Sequence, residues 1–163
     1  MQQPFSPAAP PAPSHDLTLE VYRSLLRTSR RLRREMRPLF EAFGLTGSQY
    51  AVLSRIPPGG ITLTQLAGIA WVDPGNTSGI VDRLAREGWV DRTRSEEDRR
   101  VVRITLSEKG KKALAELEPK HREAVRSLFA ALSKEETAEL GRLLAKLSSG
   151  LPASDDGEPD ENT

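Results

Sequence analysis

The sequence predicts a mainly helical protein carrying one small β-hairpin, and three features predict it. Apolar residues recur at three- and four-residue spacing over long stretches near both ends of the chain. Between those stretches, proline and glycine cut residues 45–88 into three short helical segments. Two β-rich runs, 89–93 and 101–106, then flank a wholly polar seven-residue loop.

A chain of 163 residues suits about one domain. Charged residues make up 29% and aromatics 5%, which fits a helical protein with a small core and a large charged surface. No apolar run approaches the roughly 20 residues that span a bilayer. The first residues lack the charged and apolar regions of a signal peptide, so a cytoplasmic location is expected. There is no cysteine, which excludes disulfides, thiolate metal sites and thiol redox sensing. The net charge of +1 hides an asymmetry. Asp155, Asp156, Glu158, Asp160 and Glu161 follow Pro152 with no basic residue among them. The rest of the chain carries +6, mostly as arginine, the better residue for bidentate contact with phosphates and base edges.

Residues 1–15 read as a disordered Pro-rich arm. From Asp16 to about Phe43 the period is helical: Leu25, Ser29, Leu32, Met36 and Phe40 form one stripe. Arg23, Arg27, Arg30, Arg31, Arg34 and Arg37 lie on the other face. That face reads either as a solvated surface or as an attractor for a polyanion. Gly44 closes the helix as a C-cap. Thr46 or Ser48 caps a short helix bearing Tyr50, Val52, Leu53 and Ile56, and Pro57-Pro58-Gly59-Gly60 breaks it. Thr62 or Thr64 opens a second short helix. Asp73-Pro74 starts a third, with Ile80, Val81, Leu84 and Ala85 as its buried stripe and Gly88 as its stop. After the hairpin, Ser107 starts a long helix with Leu114, Leu117, His121, Val125 and Leu128 in phase. Ser133-Lys134-Glu135-Glu136 is a capping box that opens a last helix bearing Leu140, Leu143, Leu144 and Leu147. An acidic tail, 152–163, closes the chain and reads as disordered.

Three short helices followed by a polar-tipped hairpin, residues 45–106, have the order of a winged helix-turn-helix. Such units lay their second helix in the major groove with its first residues at the base edges. Here that helix begins Asp73-Pro74-Gly75-Asn76-Thr77-Ser78-Gly79. Asn pairs with adenine, and Thr and Ser reach bases or phosphates. The loop Arg94-Ser95-Glu96-Glu97-Asp98-Arg99-Arg100 holds three arginines suited to a narrow minor groove, and three acids that neutralise or stiffen it.

The stretch Asp82-Arg83-Leu84-Ala85-Arg86-Glu87-Gly88-Trp89-Val90-Asp91-Arg92, then Asp98-Arg99-Arg100, then Ile104-Thr105-Leu106-Ser107-Glu108-Lys109-Gly110, resembles the MarR (multiple antibiotic resistance regulator) family. Its signature runs roughly D-R-L-x-x-x-G-x-V/I-x-R, then a wing with D-x-R, then a strand ending L-T/S-x-x-G. A weaker likeness extends from about residue 17 to 149. The resemblance implies a homodimeric DNA-binding regulator, a repressor relieved by a small-molecule effector, on a pseudo-palindromic operator in double-stranded DNA. It implies a dimerisation helix over 16–44, a DNA-binding lobe over 45–106 and dimerisation helices over 107–151. On that pattern Asn76, Thr77, Ser78 and Arg83 serve the recognition helix. Arg94 and Arg99 or Arg100 serve the wing, while Asp73 and Asp98 stabilise it; Arg83 also occupies a position that fixes the wing.

Two other classes compete. A winged helix can mediate protein–protein contact without DNA, since fold alone does not assign function; an apolar recognition face would favour that role. Enzyme chemistry finds no nucleophile–base pair, phosphate loop or metal quartet here, so no catalytic residue, cofactor or metal is expected. His121 reads as a core or interface residue rather than a ligand, and Trp71 and Trp89 as packing residues.

Overall fold

The computed structural model describes residues 16–69, 74–94 and 102–151. They divide into two units, one running to Glu35 and one from Met36 onward. The N-terminal arm, Trp71, Asp73, the wing tip with Asp98, Arg99 and Arg100, and the acidic tail lie outside the described residues.

Helix α1 spans Leu17–Glu41. Asp16 caps it, its carboxylate accepting from the Thr18 and Leu19 amides at 2.9 and 3.3 Å. The chain then turns at Gly44, and the Leu45 amide donates back to the Phe40 carbonyl at 3.0 Å. Helix α2, Gly47–Leu53, opens on a capping box in which Thr46, not Ser48, is the cap and Gln49 reaches back. Strand β1, Ile61–Thr62, precedes helix α3, Leu63–Ile69. Thr62 also caps α3: its hydroxyl accepts from the Gln65 amide at 3.2 Å while the Gln65 side chain accepts from the Thr62 amide at 3.1 Å. Helix α4, Pro74–Arg86, follows.

Strands β2, Val90–Arg94, and β3, Val102–Leu106, form the hairpin expected of the wing. Strand β1 adds on the other side of β3, giving an antiparallel sheet of order β1-β3-β2 with Ile61 opposite Ile104. This third strand goes beyond the expected hairpin; two residues carry no alternation to read. Helix α5 spans Glu108–Leu128 from the cap Ser107, and α6 spans Lys134–Ser149 from the capping box Ser133–Glu136.

The core of the second unit is the set of apolar stripes that the helical period marks. Val52 and Leu53 of α2, Leu66 of α3, Ile80, Val81 and Leu84 of α4, Ile104 of β3 and Leu117 of α5 are all buried. At about 25 cal/mol per Å² of apolar surface, each large side chain buried this fully contributes roughly 1.5–3 kcal/mol. Helix α4 therefore cannot roll about its axis without exposing its apolar stripe.

Candidate nucleic-acid interface

That fixed rotation decides which α4 side chains reach outward. Thr77, Ile80, Val81 and Leu84, at i, i+3, i+4 and i+7, face the core. Asn76, Ser78, Gly79, Asp82, Arg83 and Arg86 are exposed. Thr77 is 0% exposed, so the expectation that it faces bases is corrected. Its polar type suggests an outward role, but its phase with Ile80, Val81 and Leu84 is the stronger signal. Arg86 is a further candidate that the sequence reading missed, although it lies three residues beyond Arg83 on the same face. Arg83 and Arg86 form no ion pair among the described residues. Both guanidinium groups are therefore available to an external anion.

Arg94, at the end of β2, is exposed as well. Nearly two turns of α4 beyond Asn76, Asp82 is hydrogen-bonded and ion-paired to Arg92 of β2. This pair joins the recognition helix to the first wing strand. Asp73 and Arg83 were expected to help in that role; the first lies outside the described residues, and Arg83 takes no part in this pair. Both partners of the real pair stand in the family motif, ten residues apart, with nothing in the sequence to say that they meet.

The far end of α4 is held by a second set of contacts. Gly88, at φ +73°, lets the chain reverse so that the Trp89 amide donates to the Leu84 carbonyl at 2.8 Å. A side chain at that φ would be strained. The Glu87 carboxylate accepts from the Trp89 indole N–H and from the Gln49 side-chain amide, each at 3.1 Å. From the other side, Lys109 Nζ donates to the Glu87 carbonyl at 2.7 Å and lies 3.8 Å over the Trp89 ring. The Ser107 hydroxyl donates to the Gly88 carbonyl at 2.7 Å. Gly110 lies so close that a Cβ there would come within 2.2 Å of the Trp89 carbonyl oxygen. The start of α5 is thus keyed onto the end of α4, and only glycine fits the contact.

Further along α5, His121 lies in a ring cluster with Phe40 and Tyr50, with centroids 4.8 Å apart for Tyr50–His121 and 4.9 Å for Phe40–Tyr50. Burial pushes the His121 imidazole below its usual pKa, against a smaller opposing effect of Glu118. Burial, with Glu118 second, raises that of the Tyr50 phenol. His121 therefore packs, as expected, among core aromatics. No group of three His, Cys, Asp or Glu side chains able to hold a metal occurs among the described residues.

An exposed polar and cationic helix face, tied to a hairpin strand ending in arginine, is the arrangement of a winged-helix DNA reader. Residues 45–102 match the MarR family. Over that winged-helix stretch the chain is similar to the MarR family. It is 37% identical over 76 residues to the transcriptional repressor MprA of Escherichia coli, a match covering 47% of this chain and 43% of that one. Among solved structures it superposes on Sco3205, a MarR-family regulator from Streptomyces coelicolor in complex with DNA. The TM-score is 0.77, with 26% identity, over 91% of this chain and 97% of that one. It also superposes on BpsR of Bordetella bronchiseptica, whose DNA binding 6-hydroxynicotinic acid regulates. There the TM-score is 0.72, with 25% identity, over 79% and 98% of the two chains. The chain is accordingly a DNA-binding transcriptional regulator, and the relatives it is similar to are regulators rather than enzymes.

Proposed function

We propose that this protein is a MarR-family repressor that binds a pseudo-palindromic operator as a homodimer and leaves it when a small-molecule effector binds. One observation carries the reading: Asn76, Arg83 and Arg86 fall within an arc of about 80° on the exposed side of α4, with Ser78 at the far edge of that side, while the opposite face is locked in the core. Asn76 and Ser78 stand in the first turns, where a recognition helix meets base edges, and Arg83 and Arg86 fall farther along, where phosphates lie. Arg94 and the wing arginines Arg99 and Arg100 serve the adjacent minor groove, with Asp73 and Asp98 stabilising the wing. The face is polar and cationic rather than apolar, which favours DNA over a protein partner. The DNA-bound relative supports the ligand, the repressor relative supports the sign of regulation, and the relative regulated by 6-hydroxynicotinic acid supports a small organic effector. No described helix is long and apolar enough to cross a membrane, and the protein acts where its DNA is, in the cytoplasm.

The test is a gel-shift or anisotropy titration on the DNA upstream of its own gene, repeated with small aromatic acids. Binding tighter than to scrambled duplex, and abolished on adding an effector, is the expected result. Equal affinity for both duplexes would overturn the regulator reading; operator binding that activates transcription in vitro would overturn the repressor part alone.

A further inference from the structure

Helix α1 holds seven arginines and no lysine, whereas α5 holds four lysines and two arginines. A general preference for arginine across the chain does not explain that contrast. At 100° per residue, Arg23, Arg27, Arg30, Arg31 and Arg34 fall within an arc of about 100° and span roughly 16 Å of helix axis. All five are exposed. Arg34 reaches Glu35 at 3.3 Å, with both groups well solvated, a contact of little energetic weight. Arg23, Arg27, Arg30 and Arg31 have no anionic partner among the described residues. Holding so many like charges side by side raises self-repulsion. An extended polyanion would relieve that repulsion.

We propose that this arginine face of α1 is a second, sequence-independent surface for the phosphodiester backbone of duplex DNA, separate from α4 and the wing. A duplex offers one negative charge per roughly 1.7 Å of axis, so a row of guanidinium groups roughly 16 Å long meets a continuous supply of phosphates. Guanidinium forks bind phosphate oxygens bidentately, which matches the exclusive use of arginine. The surface supplies affinity and salt dependence without base selection. The inference rests on the reading of the chain as a DNA-binding regulator.

The test uses the full chain and a random-sequence duplex, titrated from about 50 to 200 mM salt. The variant carries Arg23→Gln, Arg27→Gln, Arg30→Gln and Arg31→Gln, all exposed positions. A control removes four charges elsewhere: Lys112→Gln, Arg126→Gln, Lys134→Gln and Lys146→Gln. The expected result is a slope of log K against log salt shallower by about 0.9 for each phosphate that the variant no longer neutralises, and low-salt binding weaker by about tenfold or more. The control should keep most of both, and the variant should keep its preference for operator over random duplex. A slope unchanged in the variant, or changed as much in the control, overturns the proposal while leaving operator binding intact. A third arm neutralises the acidic tail with Asp155→Asn, Asp156→Asn, Glu158→Gln, Asp160→Asn and Glu161→Gln. If the stripe contributes to DNA binding only after that change, the tail is its occupant and the DNA proposal falls. If the parent chain prefers no DNA sequence at all, the regulator reading fails instead.

Discussion

Asn76 and Thr77 are adjacent, both polar, and fated differently by about 100° of helix rotation. Asn76 is exposed at the start of α4, and Thr77 is wholly buried beside Ile80 and Val81. Asn76→Ala should therefore cost about 1–3 kcal/mol on a cognate duplex and nothing on a scrambled one. Thr77→Ala should spare discrimination and cost about 1 kcal/mol of stability, read by denaturant unfolding. If Thr77→Ala relaxes base preference while leaving the unfolding midpoint alone, the burial argument is wrong. Position 110 obeys a simpler steric rule. Because a Cβ there would sit 2.2 Å from the Trp89 carbonyl oxygen, Gly110→Ala must push α5 off the α4–β2 turn, at about 1–3 kcal/mol. His121 adds a pH dependence whose sign follows from burial. Its folded-state pKa lies below the ordinary value of 6.5, so the unfolded chain binds the proton first as pH falls. The folded state is unpenalised above pH 6.5, loses stability as pH drops below it, and carries the full penalty once pH is under the folded pKa. Thermal melts of the parent and of His121→Gln, taken from neutral to mildly acidic pH, should show the parent falling more steeply; parallel curves would remove His121 from the account.

The elements are legible where a local rule sets them. Ser107 and Ser133 start their helices because a hydroxyl satisfies an amide that the helix leaves open, and that chemistry is written within four residues. Between Thr46 and Ser48, and between Thr62 and Thr64, the choice falls to glutamines three residues on, which complete reciprocal caps only with Thr46 and Thr62. What no local rule sets stays hidden. Strand β1 exists only through its pairing with β3, some forty residues away. The Asp82–Arg92 pair and the meeting of Gln49 with Glu87 depend likewise on how elements dock. The site splits along the same line: the exposed face of α4 can be read from its period, and its anchorage to the wing cannot. That anchorage should matter more to binding than to folding. Each partner of the Asp82–Arg92 pair is about a third exposed or more, so the pair itself stabilises the fold by only about 0.2–1 kcal/mol. Asp82→Asn and Arg92→Ala should each lower operator affinity by freeing β2 from α4, and the double variant should bind no worse than the weaker single one. Additive losses in that cycle would mean that the two residues act independently on DNA.

The whole molecule poses a problem that the single chain does not solve. Helix α6 has no buried residue, and Leu143, Leu144 and Leu147 are 42–52% exposed. A 16-residue helix is marginal on its own in water and is ordinarily held by packing of its apolar face. At the other end of the chain, Leu17, Val21 and Tyr22 of α1 are more than half exposed. A second copy of the chain is the partner that would cover such faces, and closed two-fold pairing is the commonest way for one chain to do so. Light scattering at micromolar concentration should therefore return twice the chain mass. Leu144→Glu places a charge in the middle of the α6 stripe, and it should shift that mass toward the monomer without unfolding the winged-helix lobe, whose core lies in α2 to β3. DNA supplies the independent readout. A two-fold dimer presents two α4 helices, so the operator should hold two inverted half-sites with centres roughly 34–36 Å apart, one turn of the duplex. Footprinting should show both half-sites protected by the parent chain at one concentration. Leu144→Glu should protect either half-site only at much higher concentration, because each lobe then binds without the other's help. A parent chain that scatters as a monomer, or an operator whose protection is a single asymmetric half-site, would mean that the leucine face of α6 serves something other than pairing. A mutant that loses dimer mass yet binds both half-sites as tightly as before would separate dimerisation from DNA recognition altogether.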